Sequence, residues 1–293
     1  MPHSVPIRSI SFTPALKVDR LSRAVESGAD VCLIDLEDSV SASEKPVARE
    51  LMHKHFSRCP ENSTPTAVRI NAIDTDAGLD DILSIRDGRY KPDFIVIPKV
   101  ESGSSIKFVE TALGKQGARI RLIALVETAA GIRKAEKIAF ASERMSALMF
   151  GSADYTRSIG AEICWDTLLM PRSAIVAAAS NAGLASVDTP FFDIDDLDGL
   201  RADCDRVRRL GFTGRCAIHP TQTSVINSAF SYSSAAIERA GRIVAAAEAS
   251  GGNICQVDGQ MIGRPIVEQA RRVLAVTRSD RDSRFEHIAR VVS

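Results

Sequence analysis

The sequence lacks an excess of charge, a long apolar run and any pair of cysteines spaced as C-x-x-C. Lysine plus arginine and aspartate plus glutamate both total 37 among the 293 residues, so the net charge is zero. A neutral chain gains no long-range attraction to nucleic acid or to an anionic membrane surface, and neither is predicted as a partner. No apolar run approaches the ~20 residues that a transmembrane helix needs. The N-terminal residues have no apolar stretch typical of a signal peptide, so a cytoplasmic location is predicted.

The six cysteines, at positions 32, 59, 164, 204, 216 and 255, do not have the spacing of metal ligands. Cys32 and Cys216 lie within apolar runs, which favours buried free thiols over disulfides or a zinc site. His53 and His55 are two residues apart in a predicted helix and therefore point to different faces. This spacing favours surface histidines over metal ligands.

Short apolar runs alternate with amphipathic stretches, and 45% hydrophobic residues can form a large core in one α/β domain or two small ones. Eight runs are predicted as strands: 9–12, 31–36, 66–70, 94–97, 121–126, 147–150, 185–188 and 216–218. Helical patterns between them cover 17–27, 43–56, 104–113, 131–141, 168–182 and 197–210, and several end just before a glycine. Eight β-then-α units predict a (β/α)8 barrel, a fold of ~250 residues. The alternative is an open doubly wound sheet, but no glycine-rich phosphate loop follows the first strand.

The last predicted strand is followed by 75 residues. They contain helical patterns at 221–229, 234–250 and 265–276 and, before the last of these, the polar, glycine-rich string VDGQMIGRP. The predicted domains are therefore a barrel over 1–230 and a C-terminal helical extension over 231–293. We interpret the extension as a lid or an intersubunit arm.

Charged residues follow or interrupt three of the predicted strands. The run LIALV ends on Glu127, the run ALMF is followed closely by Asp154, and the run AVRI contains Arg69. In α/β folds, ligands bind outside the carboxyl ends of the strands. Two carboxylates there suit magnesium before zinc, and an arginine suits a carboxylate or thioester oxygen. The pattern predicts a metal-dependent enzyme acting on a small organic acid; the alternative is a set of buried ion pairs at the barrel rim.

Strings along nearly the whole chain resemble the HpcH/HpaI aldolase and citrate lyase β-subunit-like family, which includes malyl-CoA and citramalyl-CoA lyases. They are RSISFTP, GADVCLIDLEDSV, VRIN, PDFIVIPKVES, ALVETAAGI, FGSADYT, GFTGRCAIHPTQ and VDGQMI. The resemblance implies the same barrel, assembled as homotrimers or homohexamers, with the C-terminal arm covering a neighbour's active site. It also implies cleavage or formation of C–C bonds in 3-hydroxyacyl thioesters, with thioester hydrolysis in some members.

The resemblance assigns roles to the strand-end residues. It implies that Glu127 and Asp154 are Mg²⁺ ligands and that Arg69 holds a substrate carboxylate or thioester oxygen. Lys17 and Arg20 match the positions that contact coenzyme A phosphates, although two basic residues at a helix start also suit a solvated face.

The string DLED supplies Asp35, Glu37 and Asp38, which the resemblance places beside the metal, through its waters. The alternative for Asp38 is a simple ion pair with Lys45 or Arg49. Two further positions end strands. Lys99 either lines the site or pairs structurally with DLED, and His219 is predicted to fix a turn rather than to act in catalysis.

The arm departs from the family pattern. Family members usually have an aspartate after Met-Ile in this string, and here that position is Gly263. Either Asp258, five residues earlier, supplies the missing acid or base, or the chemistry lacks it.

The predicted function is a Mg²⁺-dependent lyase that cleaves a malyl-, citramalyl- or citryl-type 3-hydroxyacyl-CoA to an acyl-CoA and a 2-oxo acid. Arg69, Glu37 and Asp258 are the predicted catalytic residues. The alternatives are an aldolase acting on a 2-oxo acid without coenzyme A and a ligand-binding homologue with weakened chemistry.

Overall fold

The computed structural model describes residues 7–58, 64–89 and 91–277. These residues form two compact units, 7–230 and 231–277. The first unit holds every strand-end residue singled out above, and the second holds Asp258 and Gly263.

The first unit is built on eight parallel strands that pair in chain order and close into a barrel when the last strand pairs with the first. The strands are β1 (Ser9–Pro14), β2 (Val31–Asp35), β3 (Thr66–Arg69), β4 (Phe94–Ile97), β5 (Arg121–Val126), β6 (Met145–Phe150), β7 (Ala185–Asp188) and β8 (Gly214–Ala217). All eight predicted strands are present within a few residues of their predicted bounds. The predicted (β/α)8 barrel is confirmed.

Alternate side chains of each strand fill the barrel interior. Ile10, Leu33, Val96, Ile123 and Met149 belong to this inner cluster, and the intervening residues pack against the surrounding helices. Complete burial of such a side chain contributes roughly 1.5–3 kcal/mol. Because side chains alternate along a strand, every second residue faces the barrel interior up to the strand ends. At the carboxyl mouth of the barrel, the inward-facing positions include 35, 69, 127 and 151.

The helices of the first unit cover the outside of the barrel. A 3-10 helix (Ala15–Arg20) leads into α1 (Leu21–Glu26), and two short ones cover Ala42–Glu44 and Lys115–Gly117. The other α-helices are α2 (Lys45–Arg58), α3 (Asp76–Asp87), α4 (Gly103–Leu113), α5 (Ala129–Arg133), α6 (Ala135–Ala139), α7 (Ser152–Ile159), α8 (Trp165–Ala182), α9 (Leu197–Leu210) and α10 (Pro220–Phe230). Helices α8 and α9 end on Gly183 and Gly211 in the left-handed conformation, as their sequences predict.

Three helical segments differ from the prediction. The segment predicted as one helix over 131–141 is two short helices, because Lys134 leaves the helical conformation with φ −115° and ψ 11°. Helices α3 and α7 were not predicted. Helix α3 nevertheless carries a start signal, since the Thr75 hydroxyl accepts a hydrogen bond from the Gly78 N–H, and it buries Ile82 and Ile85.

The second unit contains two helices and a hairpin. Helix α11 (Ser234–Ala249) is followed by β9 (Cys255–Val257), β10 (Gln260–Ile262) and α12, over residues 264–277. Val257 and Ile262 from the hairpin pack with Ile243 and Ala247 of α11. Asp258 and Gly259 between the strands both have positive φ, the signature of a type I′ turn. Asp-Gly was therefore a hairpin signal that the sequence analysis did not use.

Within the described ranges, no helix combines the length and apolar character required to cross a membrane.

Candidate active site

Arg69 and Asp35 form a buried fork-to-fork ion pair at the mouth of the barrel. They are the last residues of adjacent strands and lie directly opposite in the strand register. Arg69 Nε donates to Asp35 Oδ1 at 2.7 Å and its terminal NH2 to Oδ2 at 2.8 Å. Burial alone would raise the pKa of Asp35, but the hydrogen bonds and charge of Arg69 hold it below its usual range. One edge of the guanidinium is therefore committed to Asp35.

The remaining nitrogen of Arg69, NH1, lies between two further acids. It is 3.2 Å from Glu37 Oε2 and 3.3 Å from Asp38 Oδ2. Although Glu37 Oε2 is within ion-pair distance, it is buried and accepts no hydrogen bond. Burial raises the pKa of Glu37. Of the three guanidinium nitrogens, NH1 is the one that is not bonded to Asp35.

The loop after β2 is held through its main chain. The Asp35 carboxylate accepts N–H bonds from Glu37 and Ser39. Lys45 Nζ donates to the carbonyl oxygens of Leu36 at 2.8 Å and Glu37 at 2.5 Å. The expected alternative, in which Asp38 pairs with Lys45 or Arg49, is wrong, because Lys45 is engaged by these carbonyls and Asp38 faces Arg69.

A second contact to this loop comes from the end of β3. Asn71 Nδ2 donates to the Leu36 carbonyl at 3.0 Å and to Asp81 Oδ2 at 2.7 Å. Asp81 of α3 is fully buried and also accepts from Arg49 at 2.9 Å. Asp81 was not predicted as a site residue, because its helix was not predicted. Asn71 lies two residues after Arg69, and the alternation of side chains along a strand puts such residues on one side.

Glu127 directly follows β5 and is 3% exposed. Its Oε1 accepts the main-chain N–H of Lys99 at 3.0 Å. A Cβ at Gly151 would overlap its carboxylate, so only glycine leaves room for the acid in this position. Burial raises the pKa of Glu127 to about 8, and the nearby charges of Glu37 and Asp154 add to this effect. Burial and the two neighbouring carboxylates therefore disfavour the ionised form of Glu127.

Asp154 lies in the first turn of α7 and pairs with Arg157 of the same helix, whose NH2 is 2.5 Å from Asp154 Oδ1. The Ser152 hydroxyl lies 2.8 Å from that of Thr189, just after β7, and this contact ties the start of α7 to the barrel. Glu127 Oε2 lies against Gly151, which precedes Asp154 by three residues, and the charge of Asp154 contributes to the raised pKa of Glu127.

The other predicted site residues belong to other elements. Lys17 and Arg20 are exposed on the 3-10 helix that follows β1. Asp258 belongs to the second unit, where it accepts a hydrogen bond from Arg242 at 2.8 Å in the β9–β10 turn. The His219 ring nitrogen lies 2.8 Å from the Thr221 hydroxyl, in agreement with a turn-fixing role.

Cys32, Cys204 and Cys216 are buried free thiols, as predicted, whereas Cys164 is exposed and Cys255 is half-buried. Burial raises the pKa of Cys32 to about 12 and that of Cys204 to about 11. Cys59 lies outside the described residues. His53 is half-buried rather than on the surface, and its Nε2 is 2.6 Å from the Ser84 hydroxyl.

Known proteins match this chain over most of its length. The chain is 34% identical over 275 residues to a (3S)-malyl-CoA thioesterase of Cereibacter sphaeroides, covering 92% of this chain and 94% of that protein. It is 30% identical over 280 residues to the citrate lyase subunit beta of Escherichia coli, covering 92% of each. The crystal structure of CitE from Mycobacterium tuberculosis with magnesium, acetoacetate and coenzyme A superposes with a TM-score of 0.77 and 29% identity, covering 93% of this chain and 97% of that one.

The family model for HpcH/HpaI aldolase/citrate lyase matches residues 8–220, which span the complete barrel. With the fold and these relatives in agreement, the chain belongs to the HpcH/HpaI aldolase/citrate lyase family.

Proposed function

We propose that this protein is a Mg²⁺-dependent carbon–carbon lyase that cleaves a 3-hydroxyacyl-CoA of malyl, citramalyl or citryl type. The products are an acyl-CoA and a 2-oxo acid. The observation that carries the proposal is the buried carboxylate of Glu127, which is joined to Glu37 through Lys99 and lies against Gly151, three residues before Asp154. The lyase and thioesterase relatives and the magnesium- and coenzyme A-bound CitE structure support the same chemistry.

The residues present fit a hard divalent cation. The pKa of Glu127 is raised by its burial and by the charges of Glu37 and Asp154, and a cation would relieve this repulsion. Among the described residues, no three His, Cys, Asp or Glu side chains form a complete ligand set. Glu127 and Asp154 would therefore hold Mg²⁺ together with water and substrate oxygens, as this ion commonly allows. When bound, the ion polarises the substrate hydroxyl and carboxylate oxygens.

Cleavage requires that a proton leave the substrate hydroxyl and that charge be stabilised on the thioester oxygen. Glu37 Oε2 is buried and accepts no hydrogen bond, and in this proposal it takes the hydroxyl proton. The C–C bond then breaks, its electron pair forms the thioester enolate, and the 2-oxo acid carbonyl appears. Arg69 NH1 stabilises the enolate oxygen. Return of the proton from Glu37 to the enolate carbon completes the acyl-CoA.

The test is turnover of a panel of malyl-, citramalyl- and citryl-CoA thioesters and of the corresponding free hydroxy acids, followed by mass spectrometry with and without Mg²⁺. We expect Mg²⁺-dependent formation of an acyl-CoA and a 2-oxo acid from at least one member. Cleavage of free hydroxy acids alone would instead identify the aldolase without coenzyme A. Binding of thioesters without turnover would identify the ligand-binding homologue.

Thioester hydrolysis is a second candidate function, because one 34% identical relative is a malyl-CoA thioesterase. Gly263 occupies the position at which the family usually has an aspartate, so we propose that hydrolysis is the weaker activity here. We also propose that the C-terminal arm acts on the active site of a neighbouring copy in a homotrimer or homohexamer. Lys17 and Arg20, both exposed, would then contact the coenzyme A phosphates.

A further inference from the structure

Lys99, two residues after β4, has a backbone conformation that lysine rarely adopts. Its φ is 51°, and among the described residues only Asp258 shares a positive φ without being glycine. Asp258 lies in a tight hairpin turn, where a short polar side chain tolerates this conformation. Lysine has no such compensation, and glycine at this position would avoid the steric cost. Such conformations persist where the surroundings enforce them and cluster at functional sites.

Two parts of Lys99 contact two different acids of the site. Its main-chain N–H donates to Glu127 Oε1 at 3.0 Å. Its Nζ donates to Glu37 Oε1 at 2.8 Å, from a side chain that is 37% exposed. One residue thus joins the acid that follows β5 to the loop that follows β2. Glycine would keep the first contact and lose the second.

We propose that Lys99 is a positioning residue that determines which oxygen of each acid is left for ligands. Lys99 occupies Oε1 of both Glu127 and Glu37, and Oε2 of each remains. Glu37 Oε2 is buried and accepts no hydrogen bond. Glu127 Oε2 lies against Gly151, where no side chain competes with it. The strained backbone is retained because a side chain is needed here that glycine does not have.

This inference deepens the proposed function, and three variants separate its parts. Lys99→Gly relieves the strain and keeps the N–H but removes the ammonium group. Lys99→Ala keeps the strain and also lacks the ammonium group. Lys99→Arg keeps both the strain and a charge that can reach Glu37.

Lys99→Gly should melt at a higher temperature than Lys99→Ala, because it avoids the left-handed cost. Its Mg²⁺ concentration for half-maximal thermal stabilisation should stay within about twofold of the parent, since the N–H to Glu127 is retained. Its turnover of the best thioester should nevertheless fall roughly 100-fold, because Glu37, the proposed base, loses the contact that positions it. This is the lower end of the effect of a general acid or base. Lys99→Arg should recover part of that loss. A residue with a purely structural role would not yield a better-folded, Mg²⁺-binding and inactive protein.

A double-mutant cycle provides a readout that needs no activity. Lys99→Ala should lower the melting temperature less in a Glu37→Gln background than in the parent, because its partner is already neutral. Equal effects in the two backgrounds, or parental turnover by Lys99→Gly, would overturn the positioning role. If the parent cleaves no thioester, the proposed function fails. The positioning role of Lys99 is then tested by the double-mutant cycle and by the Mg²⁺ titration of Lys99→Gly, neither of which needs turnover.

Discussion

Protonation of Glu127 at the barrel mouth is linked to the folding stability of the protein. Its pKa is raised from 4.5 to about 8 in the folded protein by burial and by neighbouring carboxylates. The folded protein therefore keeps a proton that the unfolded chain has already released at intermediate pH. As pH rises from about 4.5 to about 8, this group makes folding progressively less favourable, and above that range its effect is constant.

The melting temperature of the metal-free protein should accordingly decline over that range, and Glu127→Gln should flatten the decline. Saturating Mg²⁺ should remove the decline, because a bound cation takes the place of the proton. The measurement is differential scanning calorimetry across pH, with and without Mg²⁺. Parallel pH profiles for the parent and Glu127→Gln would contradict the assignment.

Asp154 is the second proposed metal ligand, and the chain offers a matched control for it. Asp154→Asn should remove stabilisation by Mg²⁺, since a ligand specific to the native state raises stability by mass action. Asp87 is also a helix carboxylate paired with a nearby arginine, Arg86, at 2.8 Å, but it lies on α3. Asp87→Asn should retain the full Mg²⁺ shift. Equal Mg²⁺ shifts in Asp154→Asn and the parent would rule out Asp154 as a ligand.

Arg69→Lys keeps the charge but loses the planar fork that holds Asp35. We expect weaker binding of oxaloacetate or pyruvate by ~1.5–3 kcal/mol, typical of a hydrogen bond to a charged group. Isothermal titration well below the melting temperature separates this effect from lost stability. Unchanged affinity would leave Arg69 as a structural partner of Asp35 alone.

Helix α3 is connected to the active-site loop by one buried acid. Asp81 accepts from Asn71 and Arg49, and Asn71 in turn holds the Leu36 carbonyl. Asp81→Asn should destabilise the protein by about 3 kcal/mol, because two buried donors lose a charged acceptor. Asp80 pairs with the same Arg49 at 3.0 Å but is 58% exposed, so Asp80→Asn should cost less than about 1 kcal/mol. Urea unfolding measures both, and equal losses would remove the special role of Asp81.

The strands were predictable because each is a short apolar run, and the positions of Arg69 and Glu127 at the carboxyl ends of two runs predicted that both lie at the mouth. Helix α3 was not predicted, although Thr75 caps it and Leu79, Ile82, Leu83 and Ile85 recur at helical spacing. Contacts between residues distant in sequence could not be predicted from local pattern. Lys45 bonds to carbonyl oxygens rather than to Asp38, and the Arg69 fork faces Asp35. The roles of the metal ligands and of Asp258 remain predictions.

Asp258 and Gly263 both belong to the second unit, and they differ in how well each position would accept a substitution. Asp258 is held by Arg242 in a tight turn. Gly263 lies at the start of α12, accepts the N–H of Ile266 and has space for a Cβ. Aspartate is a favoured residue at a helix start, so Gly263→Asp should leave the melting temperature unchanged or slightly raised.

If the arm lacks an acid or base, Gly263→Asp should raise thioester hydrolysis by up to ~10²-fold, the lower range for such a group. Hydrolysis is measured for the assembled protein and again after dilution has reduced the oligomer size. Activity should fall on dilution, because the arm is proposed to act on a neighbouring copy. Asp258→Asn is the companion variant. Efficient hydrolysis by the parent, or full activity as a monomer, would contradict the proposal for the arm.

Closure of the barrel also constrains the order of events during synthesis. The first strand pairs with the last, so that Ser9 lies opposite Arg215. Until β8 has left the ribosome, β1 and the most recently made strand both present unpaired edges, and such edges recruit other chains. Nascent chains truncated between β2 and β7 should therefore aggregate or bind chaperones. Chains extended past α10 can close the barrel, and resistance to protease during translation should appear at that length.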